Sequence, residues 1–199
     1  MININIEDFP ATCKNYISSE TAKDQIILDI SNRNDHNQLV RLANKDNGVC
    51  KEWNTYTVGR DGTIYEHYNP KYYSKFLGIE SSNKNNISIV MENMGALIKD
   101  EFGLHNHLNE ICGGNIVEMK YYGYYYWEEI TIEQMESTAE LSLYLCDKFN
   151  IEPVCISFDF YHKDINKSKG IVFKSNYFDI DAYCIPHFDI PKFTKLLRK

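Results

Sequence analysis

Residues 55–68 carry the strongest signal for tertiary structure in this chain. Two runs rich in Thr, Tyr, Val and Ile, at 55–58 and 63–68, flank the Gly-Arg-Asp-Gly segment at 59–62. Asp-Gly between two strand-forming runs favours a hairpin, because glycine adopts a positive φ without steric cost. We therefore predict two antiparallel strands joined by a tight turn.

Further strands and helices are predicted on both sides of this hairpin. Short apolar runs predict strands at residues 25–30, 87–92, 154–158 and 170–173. Helical periodicity predicts helices at residues 34–43, 132–149 and 191–197. Asn34 or Asp35 is a candidate N-cap for the first helix, and Thr131 and Gln134 form a capping box before the second. Residues 100–129 are predicted to be mainly loops. These elements indicate an α/β fold, with a central mixed sheet of about five or six strands flanked by helices.

The chain is predicted to form one domain over residues 1–199. Its length is sufficient to bury a substantial core, and no low-complexity linker or repeat divides it. Residues 1–20 are interpreted as an N-terminal extension, with a helix predicted around residues 6–18.

Composition excludes several classes of function. The formal net charge of -7 argues against general binding to a nucleic acid backbone, and the absence of an apolar run of about 20 residues argues against a membrane partner. The N-terminus does not resemble a secretory signal, so we expect a location in a phage virion or in the host cytoplasm. The six cysteines lack CxxC spacing and are interpreted as reduced. Abundant Asn, Ile, Lys and Tyr are compatible with an AT-rich bacterial or bacteriophage gene.

Several short segments, taken in order, resemble a known family. They are residues 23–31, the hairpin around Gly62, and residues 69–73, 76–78, 93–95, 122–128, 170–176 and 186–189. This order is similar to that of the N-acetylmuramoyl-L-alanine amidases, whose fold is shared by phage amidases and peptidoglycan recognition proteins. The resemblance implies a catalytic zinc held by two histidines and an aspartate or cysteine, with a metal-bound water as the nucleophile.

The residues at the implied zinc positions have changed in this chain. The resemblance places Asp29 and Lys174 where the family has its two histidines, and Tyr183 at the third position with Cys184 next to it. A protonated lysine has no lone pair to donate to a metal. We therefore expect no bound cofactor, and we expect that hydrolysis has been lost. An ion pair between Asp29 and Lys174 is predicted to stand where the zinc would be.

Other positions implied by the resemblance have changed as well. Phe76 replaces a family histidine, and Val90 replaces the glutamate of the central strand. Tyr56 alone keeps a family-like identity at the catalytic site. No catalytic residue is therefore expected among these positions.

Two relocated metal sites remain as alternatives. One would use His105 and His107, which share a face if the segment is extended, and the other would use Cys184 and His187. The simpler interpretation is that the first pair lies in a polar loop and that His187 packs beside a turn.

The aromatic run at residues 121–127 is a candidate binding surface. Aromatic side chains supply a large contact area with few torsions to immobilise. The alternative is a strand whose alternate rings enter the core. The candidate binding residues are Tyr56, beside which a shallow groove is expected, and Tyr122, Tyr124, Tyr126 and Trp127.

Three functions follow from these observations. The first is a catalytically inactive, phage-derived amidase-like protein that serves as a structural or interaction module, for example in a virion tail, with protein partners. The second is a module that recognises peptidoglycan without cutting it. The third is an active zinc amidase with a shifted metal site.

Overall fold

The structure is a computed structural model that describes residues 2–34, 36–157, 161–178 and 185–198. Within these ranges the strands are β1 (Ile4–Asn5), β2 (Gln25–Ile30), β3 (Tyr56–Val58), β4 (Ile64–Glu66), β5 (Asn86–Met91), β6 (Ala96–Asp100), β7 (Gly103–His105), β8 (Ile116–Tyr121), β9 (Tyr124–Glu128) and β10 (Gly170–Phe173). The α-helices of the same ranges are α1 (Asn37–Asn44), α2 (Glu80–Asn83), α3 (Ile132–Phe149) and α4 (Ile190–Leu196). Short 3-10 helices occur at Lys45–Gly48, Ile165–Lys167 and Lys174–Tyr177. None of the described helices is both long and apolar enough to span a bilayer.

The central sheet is mixed and has six described strands in the order β1-β4-β3-β5-β2-β10. Only β3 and β4 pair in an antiparallel manner, whereas the other neighbours are parallel. Every residue of β2 and β5 is buried, because both faces of these central strands are covered. The predicted α/β class, with a central mixed sheet flanked by helices, is confirmed.

The two faces of the sheet contact different partners because side chains alternate along a strand. On β2, Ile26 and Leu28 belong to the main core, which also contains Leu145 of α3 and Phe193 of α4. Ile27 points to the opposite face, in a smaller apolar cluster. Asp29 has the same parity as Ile27, so its side chain is also directed away from α3.

The hairpin predicted at residues 55–68 is present, and its turn depends on Gly62. This residue has a φ of +83°, and a Cβ atom added there would lie 2.7 Å from Ser137 Oγ of α3. The turn therefore needs glycine for its backbone conformation and for the close approach of the helix.

Helix α3 has the bounds and the N-cap that its sequence predicts. The Thr131 hydroxyl accepts a hydrogen bond from the Gln134 N–H, while the Gln134 side chain accepts one from the Thr131 N–H. Asn150 ends the helix in the left-handed conformation with a φ of 54°. Helix α4 also agrees with its prediction. Helix α1 forms as predicted, but His36 occupies its N-cap position without a side-chain hydrogen bond, and Asp35 lies outside the described residues.

The prediction of mainly loops at residues 100–129 is wrong. This part of the chain contributes to a second sheet with the described order β7-β6-β9-β8. Much of this sheet is exposed, and the outer strand β8 is exposed or half-buried throughout. Its residues therefore lack the apolar alternation by which a half-buried strand is recognised.

Two smaller predictions also fail. Residues 6–18 do not form a helix. They follow β1 as an irregular segment that Asn15 anchors by donating hydrogen bonds to the carbonyls of Gly48 and Cys50. In the predicted strand at 154–158, only Cys155 forms an isolated bridge, with Ile171, and Phe158 lies outside the described residues.

Candidate functional site

A cleft of about 660 Å³ opens beside the carboxyl ends of the parallel strands β2, β5 and β10. Asp29 near the end of β2, Val90 near the end of β5 and Lys174 directly after β10 all line it. This edge of an open α/β sheet is where ligands generally bind. Most of the remaining lining comes from the loops after β2 and before α2, from α1, and from the second sheet with its loops.

Lys174 and Asp29 form an ion pair in this cleft. The Lys174 ammonium donates a hydrogen bond to Asp29 Oδ2 over 2.8 Å, with the two side chains 13% and 5% exposed. The pair forms because Phe173 lies beside Leu28 in the parallel register, which brings the next residues of the two strands together. The ion pair predicted from the sequence is confirmed.

Burial and the neighbouring cation act in opposite directions on Asp29. Burial raises the pKa of the Asp29 carboxyl above its usual range, and the charge and hydrogen bond of Lys174 partly offset this. Removing Lys174 would therefore leave a buried carboxyl whose ionised form is poorly stabilised.

Phe76 and Val90 complete the surroundings of the ion pair. The Lys174 ammonium lies 4.3 Å from the centroid of the Phe76 ring, within the range of a cation–π contact. Val90 lies beside Asp29 in the register of β5 against β2 and is 4% exposed. The structure therefore brings together four of the changed positions that the resemblance singled out.

The structure does not place Tyr56 in this cleft, which corrects its assignment as a binding candidate. Tyr56 lies beside Ile89 of β5, so the two side chains are on the same face of the sheet. Val90, the next residue of β5, lines the cleft from the opposite face. The Tyr56 ring is 0% exposed, and its hydroxyl donates a hydrogen bond to Glu66 Oε2 over 2.7 Å. Burial raises the pKa of Tyr56 well above its usual range. Tyr56 is therefore part of the core that faces α3.

Three of the four aromatic candidates on the second sheet line the cleft. They are Tyr122, Tyr124 and Trp127. Tyr126 does not line it, and its ring lies 5.6 Å from the Lys99 ammonium instead. A binding role for Tyr126 therefore stays a prediction, and it would lie outside the residues that line this cleft.

His105 and His107, proposed for a relocated metal site, have different surroundings in the structure. The ring nitrogens of His105 lie 2.9 Å from the Asn106 carbonyl oxygen and 3.1 Å from Asp100 Oδ2. His107 lines the cleft, away from those contacts. Among residues 2–34, 36–157, 161–178 and 185–198, no three His, Cys, Asp or Glu side chains are grouped to hold a metal ion.

The second relocated site is only partly described. Tyr183 and Cys184 lie outside the described residues. His187 packs against Trp127, with 6.1 Å between ring centroids, and burial lowers the pKa of His187 to about 4. The expected packing role of His187 agrees with this contact.

Several cations that the sequence did not indicate line the cleft. Arg33, Arg41 and Lys75 line it together with Lys174, whereas its acidic lining residues are Asp29 and Glu52. Four cations against two carboxylates make the cleft locally basic in a chain with a net charge of -7. The signal available in the sequence was weak, because these cations come from separate segments.

A second feature that was missed is the carboxylate directly after β5. Glu92 is 4% exposed, and its Oε1 lies 2.5 Å from His36 Nδ1. Glu92 is not among the residues that line the cleft. The end of the central strand therefore carries a buried carboxylate that is paired with a histidine.

Comparison with known proteins assigns the family. A sequence profile described as N-acetylmuramoyl-L-alanine amidase matches residues 16–170, so this chain belongs to that family. A search of curated proteins gave no match. Solved structures share the fold at low sequence identity. The N-acetylmuramoyl-L-alanine amidase LysC from Clostridium intestinale has a TM-score of 0.56 and 14% identity, with coverage of 100% of this chain and 99% of that one.

Two further solved structures are similar over the whole chain. The endolysin amidase LysCS, also from Clostridium intestinale, has a TM-score of 0.57 and 13% identity, with coverage of 100% and 97% of the two chains. A mutant endolysin from Bacillus subtilis has a TM-score of 0.55 and 15% identity, with coverage of 99% of each chain. The amidase fold of this chain therefore persists at very low identity.

The described residues do not fit the zinc that the family implies. Zinc sites in proteins use thiolate, imidazole and carboxylate ligands. Of the changed positions that the structure describes, only Asp29 carries a group of this kind. Its Oδ2 atom already accepts a hydrogen bond from the Lys174 ammonium. A metal ion at this point would lie next to a buried positive charge.

Proposed function

We propose that this chain is a non-hydrolytic member of the amidase family that binds peptidoglycan in the cleft. The observation that carries the proposal is the Lys174–Asp29 ion pair, with its 2.8 Å contact at the carboxyl edge of the central sheet. A family member that hydrolyses an amide with zinc needs ligands with free lone pairs and an open position for water. A protonated lysine supplies neither of these.

The remaining lining of the cleft supports binding of a large, partly anionic ligand. Its volume of about 660 Å³ is within the range of small-molecule sites. Arg33, Arg41 and Lys75 suit carboxylates, and a peptide of the cell wall ends in one. Tyr122 and Tyr124 add exposed aromatic surface to the lining of the same cleft.

The first test is binding to purified cell wall with hydrolysis measured in the same samples. We expect the protein to sediment with the wall and to release no peptide from a muramoyl peptide, with or without added zinc. Zinc-dependent release of peptide, together with stoichiometric zinc in the purified protein, would instead establish an active amidase with a shifted metal site.

A pair of variants locates the binding surface. Arg41→Ala removes a cation of the cleft and should weaken wall binding several-fold. Lys148→Ala is the matched control, because Lys148 is exposed on α3 and its ammonium contacts Tyr144. Equal weakening by both variants would contradict the cleft as the binding site.

The role in a virion, with protein partners, is a separate proposal. It rests on the resemblance and on the composition of the chain. Finding the chain in purified phage particles at a fixed copy number would support it. Absence from the particles would contradict a role as a virion component.

A further inference from the structure

The hairpin between β8 and β9 presents a connected group of aromatic rings at the cleft. Tyr122, Tyr124 and Trp127 line the cleft. The Tyr124 and Trp127 rings meet edge to face, with their centroids 5.9 Å apart. Tyr121 joins the group through contacts of 4.7 Å with Tyr122 and 6.3 Å with Trp127. We call these four residues the tyrosine wall.

The backbone at the tip of this hairpin is unusual for the residue it carries. Tyr122 has a φ of 44° and Gly123 a φ of 85°, so both residues of the two-residue loop have positive φ. Such loops strongly favour Asn-Gly, because a bulky side chain is strained in the left-handed region. The Tyr122 side chain is nevertheless 60% exposed, so burial of its ring does not explain why tyrosine stands there.

A change of register next to the tip also affects the wall. Glu118 pairs with Tyr126, and Tyr121 pairs with Tyr124. Between these two pairs, β8 therefore contains two residues where β9 contains one. The extra residue is a β-bulge, a feature that bends a strand and redirects side chains. A strained tyrosine beside a bulge is a backbone outlier of the kind found at ligand-binding sites.

We propose that the tyrosine wall binds the glycan part of the ligand by stacking of a pyranose ring on Tyr122 and Tyr124. The C–H groups on one face of a sugar ring are weakly positive, and they match the negative face of an aromatic ring. The hydroxyl groups of the tyrosines remain available for hydrogen bonds with the sugar. The edge-to-face contacts hold the rings in place before binding, which lowers the entropy cost of association.

The cations that line the same cleft then determine the orientation of the ligand. Arg33, Arg41 and Lys75 suit a carboxylate rather than an amide-substituted sugar ring. The glycan therefore lies along the tyrosine wall, and the acidic peptide extends towards the cations. This inference rests on the proposed binding of peptidoglycan and specifies which chemical part contacts which residues of the cleft.

Separate titrations with two probes test the inference. One probe is a peptide-free tetrasaccharide of β-1,4-linked N-acetylglucosamine, and the other is a free stem peptide without sugar. Tyr122→Asn removes the ring and places a residue that tolerates positive φ, so the hairpin is retained. We expect this variant to lose roughly tenfold in affinity for the tetrasaccharide and to keep its affinity for the peptide.

Tyr125→Ala is the matched control on the same hairpin. Tyr125 is 54% exposed but does not line the cleft, and its ring lies 5.6 Å from the Lys120 ammonium. Its affinity for the tetrasaccharide should equal that of the unmodified protein. Equal affinities of Tyr122→Asn and the unmodified protein would overturn the inference.

The two probes also separate this inference from the proposed function. Binding of the stem peptide without binding of the tetrasaccharide would overturn the tyrosine wall as a glycan site, while the proposed function would stand. Absence of binding to either probe and to whole cell wall would overturn both.

Discussion

The Lys174 ammonium lies 2.8 Å from Asp29 Oδ2, although the two residues are 145 positions apart in the chain. Adjacent parallel strands bring them together at the edge of the sheet. A buried ion pair of this kind need not add net stability, but loss of one partner leaves a costly buried charge.

Lys174→Met should destabilise the protein by about 3–5 kcal/mol at neutral pH. Asp29 then keeps its burial without its cation, so its pKa in the folded state rises further above the unfolded value. A carboxyl whose pKa is higher in the folded than in the unfolded state stabilises the fold while it is protonated, below the unfolded pKa. This stabilisation is lost as pH rises through the folded pKa. The loss of stability of the variant, measured by urea unfolding, should therefore be smaller near pH 4 than at pH 7.

The control is Lys167→Met, which removes an exposed ion pair with Asp164 and should change stability by less than about 1 kcal/mol. A deficit that is independent of pH would contradict the role assigned to Asp29.

Arg60→Met should also destabilise the fold strongly. Arg60 donates parallel hydrogen bonds to both carboxylate oxygens of Glu128, over 2.8 and 2.9 Å, and the Glu128 side chain is 2% exposed. This contact joins the β3–β4 turn to β9 of the second sheet. Unfolding measurements should show a loss of roughly 3 kcal/mol, because Glu128 would keep its hydrogen bond from the Met94 N–H but remain buried without a cation. A loss no larger than that of Lys84→Met, which removes a surface contact with Glu80, would contradict this role.

Lys23 should make stability increase with pH above neutrality. Burial lowers the pKa of Lys23 to about 7, and its amino group donates hydrogen bonds to the carbonyls of Tyr72 and Lys84 over 2.7 and 3.0 Å. At pH values between this pKa and the unfolded value of about 10.4, Lys23 is protonated in the unfolded chain and neutral in the folded chain. The free energy of unfolding therefore rises with pH over this interval. Lys23→Met should lose this part of the slope. An identical slope in the variant and the unmodified protein would show that Lys23 titrates normally.

Gly62→Ala should cost more stability than Gly123→Ala. Gly62 has a φ of +83° and Gly123 a φ of +85°, so each substitution places an alanine in the left-handed region at a cost of roughly 1 kcal/mol. At Gly62 the new Cβ would also lie 3.0 Å from the Glu133 carbonyl oxygen, whereas at Gly123 it would meet no atom within 4 Å. Thermal unfolding of the two variants isolates the cost of the helix contact. Equal shifts in the two melting temperatures would mean that α3 can move away from the turn.

Local signals account for the elements that were predicted correctly. The hairpin has its Asp-Gly turn, and α3 has its reciprocal cap between Thr131 and Gln134. Each signal acts between residues close in sequence, and the conformation it favours agrees with the surrounding fold. The predicted helix at residues 6–18 failed because contacts with distant residues, such as those of Asn15 with Gly48 and Cys50, hold that segment in another conformation.

The candidate site was predicted only in part. The resemblance supplied the register that brings Asp29 and Lys174 together, but it assigned Tyr56 to the groove although its ring faces α3. The cations Arg33, Arg41 and Lys75 come from separate segments and share no motif, so their convergence was not visible before folding. The second sheet was missed because its exposed strands need little apolar periodicity.

The sequence by itself determined the central sheet, the hairpin, the long helix and the replacement of histidine by aspartate and lysine at two implied zinc positions. These depend on residue identity and on interactions over a few residues. Tertiary structure alone decided which aromatic rings and which cations line the cleft. The physical reason is that strand register and twist set the direction of each side chain, and both arise from contacts between segments far apart in the chain.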